Sequence, residues 1–302
     1  MPELPEVETT VRDLRPHLIG RTIKRATVTW QRSIAHPPAE QFVQDIVGYT
    51  ITNITRRGKY LVFTLERPST VRSLPRAQSR GHPSSSNLQL RRSPAAPTSK
   101  FLLVHLRMTG SFGFHPPRAK RDPHQHVSLL LDDGRELRFH DFRKFGRWWL
   151  VDNPEHVVGK LGPEPLEMSK KEFLTRLRAR KGYIKPLLLN QTFIAGVGNI
   201  YADEALWYAK IHPLRQAASL TDKEASDLYH AIRRVFTKAI NVGGTSFDAN
   251  YRRINGASGE FQEDLRVVGR AGEPCYRCRT PIVKTVVGQR GTYYCPNCQR
   301  LP

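Results

Sequence analysis

The chain has 302 residues, enough for two domains and a small module, and 39% hydrophobic content supports real cores. Lysine and arginine outnumber the acids 48 to 27, a net charge of +21 that points to a polyanionic partner, most often nucleic acid. No apolar run reaches the length of a membrane span and the start lacks a signal-peptide layout, so a soluble cytosolic protein is expected.

The first element predicted is a helix. Val7, Val11, Leu14 and Leu18 recur at helical spacing, and Gly20 follows as a stop. Its beginning, Met1-Pro2-Glu3-Leu4-Pro5-Glu6, has two readings. Proline and glutamate suit any first turn, through the fixed φ of one and the dipole complement of the other. Removal of Met1 would instead leave Pro2 as a secondary amine able to attack an aldehyde-like carbon and form an iminium. Glu3 and Glu6, three residues apart, would then face that amine as two proton carriers.

Residues 22–66 read as strands, with Tyr60, Val62 or Phe63, and Leu65 as inward candidates of Lys59–Glu66. The segment 67–99 is rich in Ser, Pro and Arg and reads as a disordered insertion between two strands. Arg67–Lys100 carries seven basic residues and no acids, so the rest of the chain keeps +14 of the charge. Strand signals resume at Phe101–Leu106, Val127–Leu131, Arg135–His140 and Arg147–Val151, with Asp133-Gly134 as a hairpin turn. Residues 1–153 therefore read as one helix on an antiparallel β-sandwich, and 154–165 as a linker.

Residues 166–262 read as helical. Ser169-x-x-Glu172 and Thr221-x-x-Glu224 are capping boxes. The second opens a run with Leu228, Ile232, Phe236 and Ile240 on one face, closed by Gly243-Gly244. A glycine-rich turn precedes Asn199, but it lacks the third glycine of a dinucleotide fingerprint. It reads as the turn of a helix–two-turn–helix element that brings Asn199 and a helix start near a phosphate. Residues 245–262 read as a mobile loop.

Residues 263–302 hold all four cysteines, Cys275-x2-Cys278-x16-Cys295-x2-Cys298. Two knuckles at this spacing suit one tetrahedral Zn²⁺ in a closed, structural site. The fold class is thus α+β and multidomain, ending in a zinc-finger β-hairpin.

The sequence resembles the formamidopyrimidine-DNA glycosylase family along nearly its whole length, the insertion apart. The motifs that carry the resemblance are Pro-Glu-Leu-Pro-Glu, Arg57-Gly58-Lys59-Tyr60, His105-Leu106-Arg107-Met108-Thr109-Gly110-Ser111 and Asp141-Phe142-Arg143-Lys144-Phe145-Gly146. Leu161–Leu166, Ile184-Lys185-Pro186, Gly196–Tyr201 and the finger complete the set. The resemblance implies a bifunctional glycosylase and lyase of base excision repair, cutting oxidised purines from duplex DNA through a Pro2 iminium and β,δ-elimination. It implies roles for Glu3 as proton carrier, Glu6 as organiser of the same corner and Lys59 as a phosphate ligand. Met108, Arg143 and Phe145 would fill the gap left by a flipped base. Lys185, Asn199 and Arg290 would contact DNA, and the enzyme would be a cytoplasmic monomer. Phe142 and Lys144 depart from the family pattern. Two alternatives stand beside this reading: the sister endonuclease VIII type, which prefers oxidised pyrimidines, and a non-catalytic zinc-ribbon DNA-binding protein.

Overall fold

The computed structural model describes residues 2–67, 98–246 and 252–301. Helix α1 (Leu4–Leu18) forms where the apolar spacing predicts it, and Val7, Val11, Leu14 and Leu18 are buried. Gly20, at φ +82°, turns the chain out of the helix. Strands β1 (Ile23–Val28) and β2 (Ile34–His36), helix α2 (Ala39–Asp45), and strands β3 (Thr50–Arg57) and β4 (Tyr60–Arg67) follow. Then come β5 (Thr98–His105), β6 (Ser111–His115), β7 (Gln125–Leu131), β8 (Glu136–His140) and β9 (Arg147–Val151).

These strands make two sheets, one in the order β2-β9-β5-β4-β3 and one in the order β1-β7-β8-β6. All pairings are antiparallel except β2 with β9, which is parallel. The core between the sheets takes Leu61, Phe63 and Leu65 from β4, Val127, Leu129 and Leu131 from β7, and the α1 stripe. Each such side chain contributes about 1.5–3 kcal/mol by leaving water. Val62 faces the other way, onto Leu103, Val151 and Val158, so β4 is covered on both faces and its period-2 signal is blurred.

Two expectations are corrected here and one strand is added. Ala39–Asp45 is a helix inside the stretch read as strands. Strand β6 begins at Ser111, the last residue of the His105–Ser111 motif, in a stretch to which the sequence reading assigns no element. Arg67, Thr98 and Ser99 belong to strands, with Arg67 paired to Thr98, so the insertion is narrower than 67–99. The expectation of disorder otherwise falls on 68–97, outside the described residues.

The helical region holds α3 (Glu155–Val158), a single turn within the stretch read as a linker, then α4 (Lys170–Arg178), α5 (Ile184–Leu189), α6 (Asn199–Ala209) and α7 (Asp222–Asn241). Both bonds of the Thr221–Glu224 box are made, and Gly243 and Gly244 end α7 at φ +78° and +80°. Of the Ser169–Glu172 box, the Ser169 hydroxyl accepts from the Glu172 amide. Leu4 packs in this helical core with Tyr201 and Val197, not in the sandwich core, so the start of α1 joins the two bodies. Within the segment read as a mobile loop, 247–251 lie outside the described residues, whereas Thr245 bridges Glu260 and Phe261 is buried. The finger closes the chain with the hairpin β10 (Val283–Val287) and β11 (Arg290–Tyr294). No helix among the described residues is long and apolar enough to cross a membrane.

Candidate active site and nucleic-acid interface

The first turn of α1 is pressed against the glycine-rich turn before α6. The Leu4 amide donates to Gly196 O at 3.2 Å, and a Cβ on Gly196 would lie 2.5 Å from Leu4 Cδ1. Pro2 and Glu3 are buried at this junction. The Glu3 carboxylate sits on the N-terminus of α6, where Oε1 accepts from the Ile200 amide at 3.0 Å. Its other oxygen, Oε2, is buried without a hydrogen-bond partner. Burial pushes the Glu3 pKa up, against the pull of Lys59 and the Ile200 amide.

Glu6 lies one turn further along. Its Oε2 accepts from the Glu3 amide at 2.8 Å, and its Oε1 accepts from the Thr245 amide at 2.8 Å and from the Tyr201 hydroxyl. Desolvation, then the neighbouring Glu3 charge, raises its pKa to about 7, so it exchanges a proton near neutrality. Lys59 is also buried, and burial lowers its pKa while the Glu3 and Glu6 charges hold it up. It stands just past Gly58, whose amide donates to Glu164 Oε1 at 2.6 Å. Arg56 and Arg57 pair with the same carboxylate at 2.5 and 3.0 Å. This cluster locks the β3–β4 turn to the helical region and so fixes Lys59.

Glu3, Asn199 and Arg290 line one open cavity of about 680 Å³. Met108 and Phe145 line it from the sandwich side. Phe145 is 45% exposed, and the Arg143 guanidinium lies 4.9 Å from its ring centroid. Two loops carry these three side chains, and one buried residue ties the loops together. The Asp141 carboxylate accepts from the Thr109 hydroxyl, next to Met108, and from the Gly146 amide, next to Phe145, the latter at 2.6 Å. A Cβ on Gly110 or Gly146 would meet the Phe139 ring at 2.6 or 2.5 Å, so both loops bed on that ring.

The structure does not bring every predicted residue to the cavity surface. Lys185 is fully buried, its ammonium 2.7 Å from Asp203 and bonded to Thr292 Oγ1 and Gly291 O at 2.7 and 3.1 Å. These contacts fasten the finger to the helices. A positively charged residue at the start of a helix gives no warning of a buried counter-ion 18 positions on. Asn199 lines the cavity, but its amide also donates to Gly291 O at 2.9 Å. Tyr201, Thr245 and Asp141 escaped assignment as site residues. Tyr201 and Asp141 lie inside the quoted motifs, yet only their contacts show their work.

The four cysteine sulfurs lie within 4.8 Å of one another. A tetrahedral shell of Zn–S bonds near 2.3 Å places its sulfurs about 3.8 Å apart, so the donor set fits zinc. Cys275, Cys278, Cys295 and Cys298 fill all four positions, so the ion is structural and leaves none open for chemistry.

Three family models match the chain in order. They are the formamidopyrimidine-DNA glycosylase N-terminal domain over residues 1–148, the formamidopyrimidine-DNA glycosylase H2TH domain over 161–250, and a zinc finger found in FPG and IleRS over 272–301. This succession defines the helix–two-turn–helix class of DNA glycosylases. A formamidopyrimidine-DNA glycosylase of Herpetosiphon aurantiacus is 44% identical over 304 residues, spanning 99% of this chain and all of that one. That of Protochlamydia amoebophila is 40% identical over 306 residues, with the same coverage. The chain belongs to the formamidopyrimidine-DNA glycosylase family. Among solved structures, Lactococcus lactis Fpg in complex with abasic-site DNA superposes with a TM-score of 0.82 at 34% identity, covering 99% of this chain and all of that one. MutM in complex with carbocyclic 8-oxo-G DNA gives 0.82 at 35% identity, with the same coverage.

Proposed function

We propose that this protein is a bifunctional DNA glycosylase and abasic-site lyase that excises oxidised purines, 8-oxoguanine and formamidopyrimidines, from duplex DNA. The observation that carries the reading is the buried corner where Pro2, Glu3, Glu6 and Lys59 meet the start of α6, at the edge of a basic cavity. With Met1 removed, the Pro2 nitrogen attacks C1′ of the damaged nucleotide. The N-glycosidic bond breaks and the base leaves with the proton lost from the nitrogen; the nitrogen lone pair then expels O4′, which takes a proton from Glu3, so the ring opens and the sugar is held as an iminium. Loss of a C2′ proton expels the 3′ phosphate, a second elimination expels the 5′ phosphate, and water releases the sugar fragment from the amine.

Glu3 suits the proton transfers of ring opening and elimination. Burial raises its pKa above the ordinary carboxylate range, the direction a proton donor needs, and its buried Oε2 has no hydrogen-bond partner among the described residues. Glu6 holds the Glu3 backbone in place and buffers the corner. Lys59, Asn199 and Arg290 hold phosphates around the flipped nucleotide, while Met108, Arg143 and Phe145 fill the vacated stack. Lys185 supports Arg290 through the finger tip. The domains act as read from the sequence: a catalytic sandwich to 153, a linker, a DNA-binding helical region to 262, and the finger beyond. We place the enzyme in the cytoplasm, working on DNA as a monomer.

Borohydride trapping on a duplex carrying 8-oxoguanine opposite cytosine, with mass mapping of the attached residue, tests the reading. A crosslink on Pro2 is expected. A crosslink formed only with oxidised-pyrimidine duplexes would move the enzyme to the endonuclease VIII type. DNA binding with no crosslink on any lesion would leave a binding protein.

A further inference from the structure

Helix α6 presents one face to the finger along its whole length. Asn199, Asp203 and Trp207, each four residues on from the last, lie on that face. Asn199 donates to Gly291 O near the hairpin tip, and Asp203 accepts from the Tyr293 amide at 2.9 Å midway. At the far end the Trp207 indole N–H points at Cys275 Sγ, 3.5 Å away.

We propose that Trp207 is an outer partner of the metal site, a donor from another domain that sets how firmly the finger keeps its zinc. The proposal rests on the zinc reading of the four cysteines. Cys275 is fully buried and also accepts from the Arg277 amide at 3.5 Å, so its sulfur carries two N–H donors. A hydrogen bond to a thiolate draws charge off the sulfur and stabilises the anion that a metal ligand must be. The indole has little freedom to point elsewhere. The Arg277 guanidinium lies 3.7 Å from its ring centroid and donates to Trp207 O at 2.6 Å and to Tyr208 O at 3.1 Å. Trp207 is 4% exposed, so its N–H is shielded from bulk solvent. A cation over the indole face polarises the N–H and strengthens it as a donor. Loss of the metal therefore removes a contact at the last turn of the same helix whose first turn holds Glu3.

The test replaces zinc in the full-length protein with ¹¹³Cd and looks for scalar coupling from the metal, across the sulfur, to indole protons. One of the four tryptophan indoles is expected to show it. Cysteine-bound cadmium with no coupled indole would overturn the proposal while leaving the metal site intact. Failure of the four cysteines to take up cadmium at all would overturn the zinc reading and the proposal with it. As a second readout, replacing Trp207 with 3-benzothienylalanine keeps the fused, stacked bicycle and loses the N–H. Zinc affinity, measured by chelator competition, should fall on the order of tenfold. The same replacement at Trp149, in the sandwich, should leave the affinity unchanged. Equal affinity in both variants would also count against the proposal.

Discussion

Gly198 leaves the space that the Glu3 carboxyl fills: a Cβ built at Gly198 would stand 2.2 Å from Glu3 Cδ and 2.5 Å from both oxygens. The backbone there is the last residue before α6, so the carboxylate and the helix N-terminus approach as closely as a residue without a side chain allows. The need for glycine comes from the carboxylate, not from backbone strain, since Gly198 is extended at φ −129°.

Gly198→Ala should therefore fold and still fail as an enzyme. Most of the surroundings tolerate one methyl group at a cost of about 1–3 kcal/mol, but Glu3 must move by about an ångström. A misplacement of that size in a reacting group costs on the order of 100-fold in rate. Single-turnover excision of 8-oxoguanine should show this loss, with DNA affinity nearly unchanged. Retention of wild-type rates would remove Glu3 from the chemistry.

Glu6 makes stability depend on pH in a direction opposite to that of an ordinary ion-paired carboxylate. Its native pKa, about 7, lies above the 4.5 of an ordinary glutamate, so the native state binds the proton more tightly than the unfolded chain. The native state is favoured below pH 4.5, loses this contribution as pH rises, and has lost it fully above 7. The difference amounts to roughly 3 kcal/mol. Glu6→Gln lacks the titration, so the wild-type advantage over Glu6→Gln in urea unfolding should shrink between pH 4.5 and 8. A constant difference across that range would contradict the assignment. Tyr201→Phe removes a donor to the charged form and should push the Glu6 pKa higher still.

How much of this was legible before the fold was known differs by element. The α1 stripe, the Thr221 box and the cysteine spacing each encode their outcome within a few residues, and they needed nothing from elsewhere in the chain. The corner around Glu6 did not, because two of its donors lie 195 and 239 positions away. Helix α2 was missed since its seven residues are too few to establish a helical period. The burial of Lys185 is not legible either, because a buried lysine and a surface one look alike until Asp203 is found beside it.

Asp141 couples the two loops that carry Met108, Arg143 and Phe145. Asp141→Asn keeps the shape and weakens the acceptor, while Asp141→Ala leaves the Gly146 amide without a partner, at a cost of about 1–3 kcal/mol. The two loops should then move independently, and excision from duplex DNA should slow by about 10- to 100-fold. Cleavage of a single-stranded abasic site, which needs no wedge in a stack, should remain within about threefold of wild type. Equal losses on both substrates would assign Asp141 to general stability instead.

The charge of +21 predicts how binding responds to salt. Arg143 and Arg290 are exposed, and Lys284 and Arg107 line the cavity beside Arg290. If about six phosphates are neutralised, raising salt from 50 to 200 mM should weaken DNA affinity by about 1,000-fold. Arg290→Ala should reduce the slope of log affinity against log salt by about one, and by a similar amount on undamaged and lesion-bearing duplexes. Met108→Ala should leave the slope unchanged, since an apolar wedge displaces no counterion. An Arg290→Ala slope equal to that of the wild type would mean that this guanidinium touches no phosphate, and the finger tip would then serve only to brace Asn199 and Lys185.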